Sequence, residues 1–167
     1  MKLKIYVASS WRNAIQPKVV ELLRGEGHEV YDFRNPHPTG PDRGRRGVGF
    51  SWSEIDPNWQ KWTAAQYRDA LKSEVAVDGF NSDLDAIKWC DVLVMVQPCG
   101  RSSALELGFA CGMQKPCAVL LAEGQEPELM LSMADNLCAD VFEMLEWVRF
   151  QATPEPIRPR DLAPERP

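Results

Sequence analysis

The sequence predicts a three-layer α/β protein in which helices cover both faces of a parallel sheet. Two features of the chain lead to this fold class. Short apolar runs of strand length alternate with segments whose apolar residues recur at helical spacing. The chain also has 167 residues, 44% of them hydrophobic, which suffices for one domain with a buried core. Strands that alternate with helices in this way form a parallel sheet.

The chain opens with a strand, a helix and a second strand. Residues 2–8 alternate between polar and apolar side chains and then run apolar, as a central strand does. Residues 13–24 carry apolar side chains at helical spacing, and Gly25 is a natural stop. Residues 29–33 have the pattern of a short buried strand. This β-α-β order is the unit from which parallel sheets are built.

The middle of the chain interrupts this alternation and then resumes it. Prolines and glycines exclude a regular element over residues 34–58. Helical spacing returns over residues 59–72 and again over 81–90. The stretch 91–97, D-V-L-V-M-V-Q, is the most apolar strand of the chain, which predicts a central position in the sheet.

The last part of the domain adds two helices and two strands. Helices are predicted over residues 102–113 and 141–150, and strands over 117–122 and 136–138. Five strands joined by helices within this length fit a flavodoxin/Rossmann-like five-stranded parallel sheet with the order 2-1-3-4-5. Residues 1–150 therefore form the predicted α/β domain.

A different composition follows this domain. Residues 151–167 contain five prolines and no core-forming pattern, which predicts a Pro-rich flexible C-terminal tail. If the protein acted through this tail, it would be an interaction protein, and removing the tail would abolish its function without unfolding the domain.

Charge and cysteine content narrow the functional class. The formal net charge of −5 argues against a surface that coats a nucleic-acid polymer. The sequence has no apolar run long enough to span a membrane. Five cysteines without a C-x-x-C pair and only two histidines predict no metal site and reduced thiols, as in a cytoplasmic protein. Nothing in the sequence implies a cofactor.

The topology itself predicts where a ligand binds. In an open parallel sheet the ligand crevice lies at the carboxyl ends of the strands, where the strand order reverses. For the order 2-1-3-4-5 this point lies between the first and third strands. The loops that follow these strands are short and rich in hydroxyl groups, and the second loop enters a helix N-terminus, which favours an anion. The predicted substrate-binding residues of the two loops are Ser9, Ser10, Arg12, Gly100, Arg101, Ser102 and Ser103.

Glu106 has two interpretations. It lies one turn into the predicted helix, where a carboxylate could act as a nucleophile or general base. Ser103 and Glu106 also form the pattern S-x-x-E, which is typical of a capping box that only stabilises the start of a helix. The pattern alone slightly favours the cap.

Other residues have weaker individual signals. Asp83 and Asp85 precede the third strand on a predicted helix, although helix carboxylates usually face solvent. Tyr6 lies on the first strand, where core packing is the usual role. Trp52 could stack on a base as part of an aromatic wall, or it could pack a helix onto the sheet. The arginines at 43, 45 and 46 could form a lid over a phosphate or a solvated loop.

Several segments together resemble the nucleoside 2-deoxyribosyltransferase family, which includes the 2′-deoxynucleoside 5′-monophosphate N-glycosidases. They occur in order and span about residues 1 to 150. The most specific is the last, in which a small-residue loop leads into x-E-x-G-x-A and then Lys-Pro. The segments are K-I-Y-V-A-S-S at 4–10, N-S-D-L-D-A-I at 81–87, C-D-V-L-V at 90–94, A-L-E-L-G-F-A at 104–110, and Lys115-Pro116.

The resemblance implies a role for three of these residues. Glu106 would be the nucleophile that attacks the anomeric carbon and forms a covalent glycosyl-enzyme, which is resolved with net retention. Asp83 would orient the nucleophile or handle the proton on the departing base. Tyr6 would position the nucleophile through its hydroxyl. The substrate would be a small nucleoside or nucleotide.

Two further implications concern specificity and assembly. Transferases of the family place an aspartate shortly before the nucleophile, whereas this chain has Gly100 there, followed by Arg101 and Ser102. Such a small, hydroxyl-bearing loop is closer to the monophosphate hydrolases, in which it holds the 5′-phosphate. Family members assemble as homodimers or higher homo-oligomers whose neighbouring subunits complete each site, and Asp135-Asn136 would have that role here.

Two functions outside this interpretation remain open on the sequence. The chain could be a non-catalytic nucleotide-sensing module, in which Glu106 merely caps its helix. It could also hydrolyse the N-glycosidic bond of a dinucleotide such as NAD. A bound but unaltered nucleotide would indicate the first alternative, and released nicotinamide the second.

Overall fold

The computed structural model describes residues 1–35 and 49–154. The predicted arginine lid at 43–46 and residues 155–167 of the predicted tail lie outside the described residues. The chain divides into two compact units, one made of Met1–Val30 with the chain from Cys90 onward, the other of Tyr31–Trp89. Each unit is described by itself below.

A five-stranded sheet confirms the predicted fold class. The strands follow the order β2-β1-β3-β4-β5, as the sequence predicts. The pairs β1–β3, β3–β4 and β4–β5 are parallel. The strands are β1 (Lys4–Ala8), β2 (Glu29–Asp32), β3 (Val92–Val96), β4 (Cys117–Leu120) and β5 (Asn136–Cys138).

The strand predicted to be central is β3. It pairs with β1 on one side and β4 on the other, and all five of its side chains are buried. An unbroken apolar run is what a strand covered on both faces requires. The core around it is completed mainly by valines and leucines from β1, α1 and α5.

Residues 1–35 and 49–154 contain five α-helices. The last two, α4 and α5, pack on its strands: α4 against β1, β3 and β4, and α5 against β4 and β5. Short 3-10 turns occupy residues 52–54, 59–61 and 129–133. The helices are α1 (Gln16–Gly25), α2 (Ala64–Ala70), α3 (Glu74–Trp89), α4 (Arg101–Gly112) and α5 (Val141–Gln151).

Two helix boundaries in the middle of the chain differ from prediction. The helix predicted over 59–72 is a 3-10 turn followed by α2, which begins where Thr63 forms a capping box with Gln66. The helix predicted over 81–90 begins already at Glu74. The sequence did not predict this early start because Gly79 weakens the helix pattern, since glycine is a poor helix former. Its role is steric, since a Cβ atom at residue 79 would lie 2.8 Å from the Cβ atom of Phe50.

Aromatic side chains organise the second unit. Trp52 makes edge contacts with Phe50, Trp62 and Tyr67, at centroid distances of 4.7, 5.7 and 5.7 Å. The indole nitrogen of Trp62 donates a hydrogen bond to Asp56 Oδ2 at 2.7 Å. Hydrogen bonds from Trp62 and from the backbone amide of Asn58 lower the pKa of Asp56, the backbone bond more strongly.

Two further expectations concern membranes and disulfides. Within the part of the chain that the structure describes, every helix is too short or too polar to cross a membrane. All five cysteines lie in described segments, and none forms a disulfide. Four of the five are buried, and burial raises the pKa of Cys90 and of Cys138 to about 11.

Candidate active site

The two loops that topology predicts as the ligand site begin side by side. Ala8, the last residue of β1, lies opposite Met95 near the end of β3. The chains that leave these strands are therefore neighbours at the carboxyl edge of the sheet. This edge, between β1 and β3, is the place where the topology rule predicts a ligand crevice.

Asn13 joins the two loops and was not anticipated. It is buried, at 2% exposure, and its Nδ2 donates to the carbonyls of Val96 and Pro98, both at 3.1 Å. Its Oδ1 accepts the amides of Ile15 and Gln16 at the start of α1. Asparagine before a helix does suggest a cap. The bonds to the other loop carry no local sequence signal.

Two predicted ligand residues make the same kind of connection. Ser9 Oγ donates to the carbonyl of Val96, and Ser103 Oγ donates to the carbonyl of Ser9, both at 2.8 Å. Ser103 is only 1% exposed. The hydroxyls of Ser9 and Ser103 therefore connect the two loops. The other predicted ligand residues lie nearer the surface of these loops. Those are half-buried Ser10 and exposed Arg12, Gly100, Arg101 and Ser102.

The start of α4 is suited to an anion. Gly100 is the N-cap residue and brings no side chain to the first amides of the helix. A Cβ atom at this position would meet no atom within 4 Å, so the space before the helix is open. Exposed amides and the positive end of the helix dipole attract phosphate or carboxylate groups. Arg101, exposed at the first helical position, adds a cation at the same end.

Glu106 does not form the capping box that the pattern S-x-x-E slightly favours. Helix α4 begins before Ser103, so Ser103 is an interior residue rather than the cap, and its hydroxyl is bound to Ser9. Glu106 is half-buried in the second turn of α4. Burial raises the pKa of Cys99, in the loop before α4, and the carboxylates of Glu106 and Glu128 raise it further. The charge of Glu106 therefore acts on this loop.

The other predicted residues of this unit are also placed. Tyr6 is fully buried in β1, where it lies opposite Leu93. Asn136 is half-buried at the start of β5, and its amide nitrogen lies 3.4 Å from Cys138 Sγ. Asp135, beside it, exchanges two backbone-linked hydrogen bonds with Cys117, each 2.8 Å long, and so ties the starts of β4 and β5 together.

In the second unit, the two aspartates of α3 have different partners, a difference that the sequence did not predict. Tyr31 Oη donates a hydrogen bond to Asp83 Oδ1 at 2.9 Å. Asp85 instead pairs with Lys88 at 4.0 Å, with both side chains about half exposed. Tyr31 was missed by sequence reasoning. Its only signal is a hydroxyl-bearing residue in a short apolar strand, which is not specific. Trp52, a predicted substrate contact, is half-buried and is the centre of the aromatic cluster described above.

Metal ligation was also tested on the described residues. Among them, no three or more His, Cys, Asp or Glu side chains converge as an ion site would require.

Comparison with protein-family models and with curated proteins gives no match for this sequence. Among solved structures, the chain is similar to a 2-deoxyribosyltransferase from the psychrotolerant bacterium Bacillus psychrosaccharolyticus, with 22% identity, a TM-score of 0.49 and coverage of 84% of this chain and 88% of that one. It is also similar to a CMP N-glycosidase of Clostridium botulinum, with 18% identity, a TM-score of 0.44 and coverage of 87% and 97%. Both similarities extend over most of each chain.

Proposed function

We propose that this protein is an enzyme that cleaves or exchanges the N-glycosidic bond of a nucleoside or a nucleoside 5′-monophosphate. The observation that carries the proposal is the position of Glu106. A capping box would have accounted for its presence, and that account fails because Ser103 is bound to Ser9 inside the helix. Glu106 is half-buried in the second turn of α4, the helix whose first turn is suited to anions.

The chemistry proposed for Glu106 is nucleophilic. One carboxylate oxygen attacks the anomeric carbon while the bond from that carbon to the base nitrogen breaks, and the electron pair leaves with the base. The base takes up a proton, and the sugar remains as a glycosyl ester on Glu106. Attack by water or by a second base on this ester restores the carboxylate, with net retention at the sugar. For Asp83 and Tyr6 we propose the roles that the family resemblance implies.

The 5′-phosphate would bind at the start of α4. Support comes from the uncapped first amides, the open space before Gly100, and the exposed guanidinium of Arg101. Arg12, on the neighbouring loop, adds a second exposed cation. A planar guanidinium can hold two phosphate oxygens at once, which gives both affinity and orientation. We therefore favour a monophosphate over a free nucleoside as substrate.

A pooled incubation tests this proposal. The purified protein is mixed with nucleosides, their 5′-monophosphates and NAD, and released bases are identified by mass spectrometry. Base release by the wild type that disappears in Glu106→Gln supports the proposal. Unchanged turnover in that variant contradicts the nucleophile, nicotinamide as the sole product would indicate the NAD alternative, and a bound but unaltered nucleotide would indicate a sensor.

Arg101→Gln tests the phosphate subsite separately. Loss of a guanidinium contact to phosphate should raise KM for the 5′-monophosphate about 10-fold or more, while KM for the matching free nucleoside changes little. Equal changes for both substrates would contradict a phosphate contact.

We also propose that the protein forms a homodimer or higher homo-oligomer, in the reducing cytoplasm that its odd number of cysteines favours. Support comes from the outer face of α4, where Leu105 is 76% exposed, and from the nearby turn 129–133, where Leu129 is 84% exposed. Met133 of this turn lies next to Gly108 of α4, so the two exposed segments adjoin. Leu105→Glu should lower the mass measured by sedimentation if this face is an interface. An unaltered assembly would contradict this choice of surface.

A further inference from the structure

Tyr31 contacts Asp83, a proposed site residue, and has been given no role so far. We infer that Tyr31 is a positioning residue for Asp83: its hydroxyl holds the Asp83 carboxylate as an ionised hydrogen-bond acceptor. The inference rests on the proposed function, because it assigns to Asp83 one of the two roles that the family resemblance leaves open.

The geometry of the contact is the first support. Tyr31 lies at the end of β2 and is 4% exposed, while Asp83 lies on α3, 52 residues further along the chain. The bond from Tyr31 Oη to Asp83 Oδ1 is 2.9 Å long. A buried tyrosine ring has only two side-chain torsions, and packing fixes both. A contact from such a ring therefore fixes the orientation of the half-buried carboxylate that accepts it.

The contrast with Asp85 is the second support. Asp85 lies two residues away on the same helix and pairs with Lys88 across 4.0 Å. A loose, exposed pair of this kind contributes little to stability and fixes no geometry. The helix thus presents two carboxylates in different settings. Asp83 receives a hydrogen bond from the hydroxyl of buried Tyr31, whereas Asp85 pairs with the ammonium group of Lys88.

The chemistry of the donor is the third support. A phenol offers one proton, and a hydrogen bond donated to a carboxylate favours its charged form. Tyr31 thereby favours Asp83 as an acceptor that orients another group, over Asp83 as the acid that protonates the departing base.

Steady-state kinetics on Tyr31→Phe, Asp83→Asn and the double variant test the inference. Tyr31→Phe keeps the ring and should lower kcat about 10-fold or more, with KM changed by less than about 2-fold, as expected for one hydrogen bond to a charged group. In the Asp83→Asn background, Tyr31→Phe should change kcat by less than about 2-fold, since its effect passes through the carboxylate. Equal losses in both backgrounds would overturn the inference.

Tyr67→Phe and Asp85→Asn are the matched controls. Tyr67→Phe removes a tyrosine hydroxyl and Asp85→Asn removes a carboxylate charge, as the test variants do, but from half-exposed side chains of the same unit. Each control should leave kcat within about 2-fold of the wild type. Thermal unfolding of all variants identifies any that lose activity by unfolding. A kcat loss of equal size in Tyr67→Phe would contradict a specific role for Tyr31.

A spectroscopic measurement separates failure of this inference from failure of the proposed function. A buried hydroxyl hydrogen-bonded to a carboxylate exchanges slowly and gives a low-field proton resonance. This resonance should be absent in Tyr31→Phe, displaced in Asp83→Asn and unchanged in Asp85→Asn. If the wild type releases no base but these changes are seen, the proposed function fails and the Tyr31–Asp83 contact stands. If base release is confirmed and the resonance has the same chemical shift in Asp83→Asn as in the wild type, only the inference about Tyr31 fails.

Discussion

Two segments of the chain share the pattern Ser-x-x-Glu, and they use it differently. In the segment that begins at Ser51, the pattern forms a capping box: the Ser51 amide donates to Glu54 Oε1 at 2.9 Å, and the Ser51 side chain accepts from the start of the turn. In the segment that ends at Glu106, Ser103 binds the carbonyl of Ser9 and the box is not formed. The same four-residue pattern therefore forms a capping box at the start of a 3-10 turn in one unit and forms none in the other unit.

The difference follows from where each helix begins. Ser51 has an extended backbone and directly precedes its turn, so its side chain can reach the first amides. Ser103 lies inside α4, because the helix already starts at Arg101 after Gly100. Ser103 is the third residue of α4 and not its N-cap, and its hydroxyl donates to the Ser9 carbonyl on the adjacent loop. The position of the cap, and not the pattern, decides whether the glutamate takes part in a capping box.

The largest expected effect is a double dissociation between the two glutamates. Glu106→Ala should reduce base release at least about 1000-fold, as loss of a nucleophile does, with the free energy of unfolding within about 0.5 kcal/mol of the wild type. Glu54→Ala should lower the free energy of unfolding by about 1 kcal/mol or less and leave turnover nearly intact. Chemical denaturation and product analysis on both variants provide the measurement. The reverse pattern would mean that the cap is at 106.

Replacing a glycine by alanine should change the free energy of unfolding in opposite directions in the two units. Gly79→Ala places a methyl group 2.8 Å from the Cβ atom of Phe50, and we expect a loss of about 1 to 3 kcal/mol in the free energy of unfolding. Gly112→Ala, at the end of α4, meets no atom within 4 Å and should gain up to about 1 kcal/mol through higher helix propensity. Urea unfolding of the two variants decides the matter. A stable Gly79→Ala would show that α3 and residue 50 do not need this close approach.

The two serines give a smaller contrast. Ser103→Ala leaves the part-buried Ser9 carbonyl without its side-chain donor and should cost about 1 to 2 kcal/mol of unfolding free energy. Ser51→Ala removes only the cap of an exposed 3-10 turn and should cost about 0.5 to 1 kcal/mol. Thermal unfolding measures both. If Ser51→Ala is the more costly substitution, then the loop connection through Ser103 contributes less to stability than a surface cap.

The smallest expected effect concerns the rate at which the Cys99 thiol is alkylated. Burial and the Glu106 carboxylate both raise the pKa of Cys99, so its thiol should react with iodoacetamide only at high pH. Glu106→Gln removes one negative charge and should shift the pH dependence of Cys99 alkylation to lower pH, with the rate at a fixed pH rising about 2- to 5-fold. Peptide mass spectrometry follows Cys99 alone. Glu54→Gln is the control, and an equal increase there would contradict proximity of Glu106 to Cys99.

Most of the fold was predictable because it depends on local apolar patterns. The all-apolar stretch at 92–96 indicated β3 and its central place, and the strand at 136–138 matches the prediction residue for residue. The missed start of α3 has a tertiary cause. Gly79 weakens the local helix signal, and only the ring of Phe50, 29 residues earlier in the chain, explains why a glycine is there.

The candidate site was predictable in its location and much less in its contacts. The topology rule placed the loops after β1 and β3 together. It did not reveal that Asn13 binds two carbonyls of the other loop, or that Tyr31 binds Asp83. Contacts of this kind join residues more than 50 positions apart and depend on side-chain direction. A single sequence contains no periodic signal for them.

The loop connection through Asn13 and Ser103 has a consequence for engineering. Every acceptor of these bonds in the facing loop is a main-chain oxygen, on Ser9, Val96 or Pro98. All residue types supply this atom, so an acceptor position such as 96 can in principle change its side chain while the bond persists. A library that fixes residues 13 and 103 and varies exposed loop positions such as 10, 12 and 102 would therefore search new substrate preferences on an unchanged framework.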